Sequence, residues 1–129
     1  MAEAAEKPVL LDIENVVKLF GGVAAVGGLN MKVREGTVHG LIGPNGAGKT
    51  TLINLITGLF HPDEGTIHFA GRPLEKMAPQ NIAALGITRT YQNVRLFSGM
   101  SVLEQVLTGC FLDKKSGMFA SFLGLPSAR

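Results

Sequence analysis

Hydrophobic and polar positions along the chain predict an α/β order of elements. Residues 9–20 (VLLDIENVVKLF) hold apolar runs and a β-branched pair, and predict a first strand with its continuation. Gly21-Gly22 and Gly27-Gly28 bracket VAAV, which predicts turns on either side of a short strand. Leu29, Met31 and Val33 alternate with polar residues, as on a half-buried strand. After a turn at Glu35-Gly36, residues 37–42 (TVHGLI) form a compact apolar run of the kind a buried central strand carries. A helix is predicted to start near Lys49. Leu52, Ile53, Leu55 and Ile56 give it an apolar face, and Gly58 caps its end.

Beyond that helix, Pro62-Asp63-Glu64-Gly65 predicts a turn and Thr66–Phe69 an alternating strand. Ala70-Gly71 turns that strand back toward Arg72-Pro73-Leu74. A short helix is predicted from about Pro79 to Leu85, ended by Gly86, and Ile87–Tyr91 reads as a further strand. Phe97–Ser101 reads as a turn and helix cap. Ser101 and Glu104 then form a capping box that opens a helix through about Thr108. The tail from Asp113 to Arg129 has no assignable pattern, and the chain shows neither an internal repeat nor a low-complexity segment.

Composition narrows the function classes. With 46% hydrophobic and 17% charged residues, the 129 residues suit one globular domain rather than a disordered segment. Twelve Lys plus Arg against ten Asp plus Glu leave a net charge of +2 without a basic run, so nucleic acid is not the expected partner. Cys110 is the only cysteine, which excludes an internal disulfide, and its apolar neighbours predict a buried, inert thiol. His39, His61 and His68 have no ligand-like spacing, so no metal site is assigned to them. Acids stand at the N-terminus where a signal peptide carries positive charge, and no run approaches the roughly 18 apolar residues of a spanning helix. The expectation is a cytosolic protein.

The strongest chemical signal is residues 43–51, GPNGAGKTT. Gly43, Gly48, Lys49 and Thr50 satisfy the phosphate-loop pattern G-x-x-x-x-G-K-[ST]. Glycines let the backbone wrap phosphate oxygens with its N–H groups pointing inward. The helix that follows adds the positive end of its dipole. Lys49 supplies a point charge to the β- and γ-phosphates, and the Thr50 hydroxyl can ligate Mg²⁺. Hydrolysis also needs a second carboxylate to hold the metal and a group to position water. The one apolar run ending in Asp is Val9-Leu10-Leu11-Asp12, and the pattern there predicts an edge strand with an exposed Asp.

These motifs carry a resemblance. GPNGAGKTT, the preceding VKLFGG, and ITRTYQNVRLFSGMSVLEQV together resemble the ATP-binding subunit of an ABC transporter, from about Val9 to Leu112. RTYQNVRLF followed by MSVLEQVL is similar to the branched-chain amino acid importers within that family. The resemblance implies a P-loop NTPase core with an antiparallel β-subdomain, incomplete in these residues. Residues 1–112 would be the N-terminal part of the ATP-binding domain, and 113–129 the start of a helical subdomain. It implies that Phe20 stacks on adenine and that Gly43, Pro44, Asn45, Gly46, Ala47, Gly48, Lys49 and Thr50 form the Walker A loop, with Thr51 as the adjacent hydroxyl. Gln92 matches the Q-loop glutamine, reaching Mg²⁺ or the attacking water, beside the place where the permease docks. ATP and Mg²⁺ are the implied cofactors. Transmembrane permease subunits and a second ATP-binding subunit are the implied partners, on the cytoplasmic face of the inner membrane, with membrane contact only through the permease. A signature motif of the LSGGQ type, a Walker B strand ending in Asp-Glu, and a switch histidine are not in the 129 residues. The expectation is therefore binding without hydrolysis by this chain. The alternatives are another P-loop protein, such as a small kinase or GTPase, and a non-catalytic nucleotide-binding half-domain.

Overall fold

The computed structural model describes residues 7–91 and 97–109. They fall into two units, one up to Arg89 and one from Thr90. The first unit is built on a four-stranded antiparallel sheet in the order β2-β1-β3-β4. Strand β1 spans Val9–Phe20, β2 Val23–Arg34, β3 Glu64–Phe69 and β4 Arg72–Pro73. Strand β1 pairs on both sides, so Ile13 stands opposite both Met31 and Ile67, and Val16 opposite Leu29. Cross-strand pairing sets Ile13 and Ile67 on one face, and the irregularity between Ile13 and Val16 brings Val16 to the same face, where each is fully buried. Val26, Leu52, Leu55, Leu74 and Ile82 complete that core. Helix α1 (Lys49–Ile56) contributes Leu52 and Leu55, and the shorter α2 (Pro79–Ala84) contributes Ile82.

A bulge interrupts the sheet at Asn15, which adopts φ 49°. The Asn15 N–H donates to Asn30 Oδ1 at 2.9 Å, and the Asn30 amide donates to Asn15 Oδ1 at 3.2 Å. Gly65 sits against this bulge at φ +83°, and a Cβ there would overlap the carbonyl oxygens of Glu14 and Asn15. Only glycine lets β3 approach so closely.

Several expectations are corrected. VAAV and the Leu29–Val33 segment are one 12-residue strand, not two. Val16 pairs with Leu29 and Lys18 with Val26, so Gly27 and Gly28 together oppose Val17 and form a bulge rather than a turn. Strand β1 lies inside the sheet rather than at its edge, and Asp12 is half-buried between β2 and β3. Residues 37–42 form no strand: Val38 is fully exposed and Ile42 is 93% exposed. Ile87–Tyr91 likewise forms no strand. An apolar run becomes a central strand only when neighbours pair with both its edges, and no described segment does so for either run. The remaining shifts are small. Strand β3 begins at Glu64, inside the expected turn, and α2 ends one residue early with Leu85 as its C-cap.

In the second unit, α3 spans Val102–Gly109. Its capping box forms as the sequence predicts, with Ser101 Oγ donating to Glu104 Oε2 at 2.8 Å and Glu104 N–H donating to Ser101 Oγ at 3.3 Å. The Ser101 N–H also donates to the Glu104 carboxylate, and these bonds hold it below the ordinary carboxylate range. Residues 113–129 and Cys110 lie outside the described residues.

Candidate phosphate-binding site

Residues 43–48 lead from the exposed 37–42 run into α1. A turn at Pro44–Ala47 closes with the Ala47 N–H on the Pro44 carbonyl at 3.3 Å. Gly48 adopts φ +80° and serves as the helix N-cap. A Cβ on Gly48 would overlap the Ala25 carbonyl oxygen on β2, so strand backbone and loop backbone meet directly at this residue. The first helical bond runs from the Leu52 N–H to the Gly48 carbonyl at 2.9 Å. No side chain caps the helix start and no acid occupies its first turn. The positive end of α1 is left uncompensated, which is what an anion site at a helix start requires.

Lys49, the first residue of α1, curls back over the loop. Its Nζ donates to the carbonyl oxygens of Gly43 and Pro44, each at 2.6 Å. An ammonium carries three donors, so one remains for an anion while two tie the loop together. Thr50 is exposed and Thr51 half-buried in the same first turn. A cavity of about 400 Å³ opens beside the loop, between Ala25–Asn30 of β2 and Leu41, Ile42, Ala47, Gly48, Lys49 and Leu52. The donor set suits a polyphosphate: one held ammonium, an unopposed helix dipole, and a hydroxyl one residue on.

Phe20 lies at the end of β1, 45% exposed. Its ring meets Phe60 edge-on, with centroids 5.2 Å apart and an interplanar angle of 70°. Phe20 is not among the residues that line the cavity at the loop. The structure therefore brings Gly43 through Thr51 together as one continuous cradle and leaves Phe20 in a cluster of its own. Gln92 lies outside the described residues.

Two residues around these elements make contacts that have no trace in the local sequence pattern. Asp63, expected only as a turn residue, accepts the Leu19 N–H at 2.6 Å and the Lys18 ammonium at 3.0 Å. The Leu19 amide first, and Lys18 second, hold the Asp63 carboxyl below its ordinary value of 3.8. Arg89 donates to the Asn54 side-chain oxygen at 2.5 Å and so fixes its segment to the middle of α1. A Pro-Asp pair signals a turn, but nothing in it announces a partner more than forty positions away. Asp12 is engaged as well, its Oδ2 accepting from Lys32 at 3.0 Å. That bond raises the Lys32 ammonium above its ordinary value.

Comparison with known proteins places this geometry in context. The family model described as "ABC transporter" matches residues 26–126. The high-affinity branched-chain amino acid transport ATP-binding protein LivG of Salmonella typhimurium is 42% identical over 120 residues, covering 93% of this chain and 47% of the relative. A putative ribose/galactose/methyl galactoside import ATP-binding protein of Pseudomonas fluorescens is 40% identical over 117 residues, covering 91% of this chain and 23% of the relative. Among solved structures, the ADP conformation of MJ1267, an ATP-binding cassette of an ABC transporter, aligns with a TM-score of 0.74 at 35% identity. That alignment covers 95% of this chain and 48% of the cassette. The chain thus spans about half the length of the LivG relative and of the solved cassette.

Proposed function

The chain belongs to the ABC transporter family, and from that premise we propose that it is the nucleotide-gripping part of an importer's ATP-binding cassette. The observation that carries this reading is the loop itself: Lys49 held over Gly43 and Pro44 at 2.6 Å, beside an α1 start with no side-chain cap and no acid. In this reading the first-turn amides and the Lys49 ammonium hold the phosphates of ATP, Thr50 ligates Mg²⁺, and Thr51 lines the same cradle. Phe20 stacks on the base, and Gln92 reaches the metal or the attacking water. Bound Mg²⁺ supplies charge neutralisation between the phosphates. The family match leaves the small-kinase and GTPase alternatives without support.

Branched-chain amino acids are the cargo we propose for the whole transporter. The LivG relative and the segment RTYQNVRLF with MSVLEQVL support this. The sugar-import relative is nearly as similar, at 40% against 42%, so the cradle itself does not select cargo. Selection falls to other subunits, and this chain's contribution is energy coupling. Permease subunits and a second ATP-binding subunit are its proposed partners, at the cytoplasmic face of the inner membrane. No helix among the described residues is long and apolar enough to cross a membrane.

Calorimetric titration with MgATP tests the core of the proposal. Saturable binding is expected, and Lys49→Ala should weaken it at least about tenfold, since a charge-assisted contact is worth about 1.5–3 kcal/mol. Undiminished binding by Lys49→Ala would sink the assignment of the loop.

A further inference from the structure

The end of β1 is held more firmly than a strand terminus beside a two-glycine turn requires. The Asp63 N–H donates to the Val17 carbonyl at 2.9 Å. Asp63 then returns both carboxylate oxygens to the same strand, Oδ2 to the Leu19 N–H at 2.6 Å and Oδ1 to the Lys18 ammonium at 3.0 Å. Three bonds thus lock one residue of the 61–63 segment against three consecutive residues of β1, two of them charge-assisted. The residue that follows those three is Phe20.

Phe20 is fixed by its neighbours without being covered by them. Lys18 stands two positions earlier, so it shares a strand face with Phe20, and its Nζ lies 5.6 Å from the ring centroid, within cation–π range. Phe60 supports the ring edge-on at 5.2 Å. Both constraints trace to residues 60–63: Phe60 gives the edge, and Asp63 holds the lysine and the amide next to the ring. The ring still leaves 45% of the residue exposed. A core phenylalanine needs no such support. An oriented ring with open surface suits a flat π ligand, because the ordering is done before the ligand arrives.

We propose that Asp63 is the positioning residue for Phe20, holding the ring as a preformed platform for a nucleotide base through Lys18 and the Leu19 amide. This rests on the reading of Phe20 as the base platform, and the tests separate the two. Binding of MgATP and of magnesium tripolyphosphate, which has no base, is measured for the full chain and for Phe20→Ala, Asp63→Ala and Asp63→Asn. Phe20→Ala is expected to weaken MgATP about tenfold and leave tripolyphosphate unchanged. Asp63→Ala should do the same. The Phe20→Ala/Asp63→Ala double variant should be no weaker than Phe20→Ala alone, because both act through one ring. Asp63→Asn, which keeps an acceptor for the Leu19 amide, should fall between.

If Phe20→Ala weakens MgATP while both Asp63 variants bind like the parent, the positioning role is overturned and the platform stands. If Phe20→Ala changes nothing, platform and positioning role fall together. If Asp63→Ala weakens tripolyphosphate as much as MgATP, Asp63 merely supports the fold and the proposal is overturned. A measurement without ligand decides the structural half. Ring–ring NOEs between Phe20 and Phe60 are expected in the parent, reduced in Asp63→Asn and lost in Asp63→Ala. Their persistence in Asp63→Ala overturns the proposal whatever the binding data say.

Discussion

Gly48 carries two constraints at once, a φ of +80° and a close approach of its Cα to the Ala25 carbonyl of β2. The first strains any L side chain by about 1–3 kcal/mol, and the second adds an overpacking penalty of similar size. Gly48→Ala is therefore expected to lower unfolding free energy by about 2–6 kcal/mol, read from urea unfolding. A loss well below that range would mean that β2 does not template the loop. Asp63 makes a different prediction at the same scale. Its folded-state pKa lies below the ordinary 3.8, so its contribution is fully present above about that pH and is lost as pH falls through the lower, folded value. The Leu19 amide donates to that carboxylate, and its chemical shift should titrate with a midpoint below 3.8. A midpoint at or above 3.8 would show that the bond does not persist in solution.

At the level of elements, the contrast is between strands with partners and apolar runs without them. Amides of β1 bonded to β2 or β3 are expected to exchange slowly with deuterated solvent, whereas those of residues 38–42 exchange as an open chain does. Slow exchange at 38–42 would show pairing that the described residues do not provide. The same contrast sets what the sequence could disclose. Helix α1, the Ser101–Glu104 box and the phosphate loop were legible because each is written in contiguous residues: a glycine pattern, an apolar face, a cap three positions from its partner. Strand β2 was misread as two because Gly27-Gly28 signals a turn locally and becomes a bulge only when β1 supplies Val17 opposite it. Residues 37–42 have the composition of a central strand, but composition does not provide the neighbour that makes one. Of the site, the cradle was readable. The Leu19–Asp63 and Asn54–Arg89 bonds span 44 and 35 positions, and a periodicity argument has no access to them.

For the molecule as a whole, holding a nucleotide and cleaving it make different demands on geometry. In-line attack on a terminal phosphate needs a metal held from two sides and a water held in line, and each demands a carboxylate or carbonyl aimed at the phosphate. Asp12, the one carboxylate that ends an apolar run, is a half-buried sheet residue bonded to Lys32 at 3.0 Å. Freeing it would break that pair and still leave it on a strand of the sheet rather than at the loop. We propose that the 129 residues hold ATP without hydrolysing it, and turnover tests that directly. Purified chain incubated with radiolabelled MgATP is expected to release phosphate no faster than a protein-free control, while filter binding shows the nucleotide held. Turnover of about 1 per second or more, typical of enzymes, would mean that a catalytic group within these residues reaches the phosphate in solution. Lys49→Ala discriminates the source of any such signal: activity that survives the loss of the ammonium does not come from this loop.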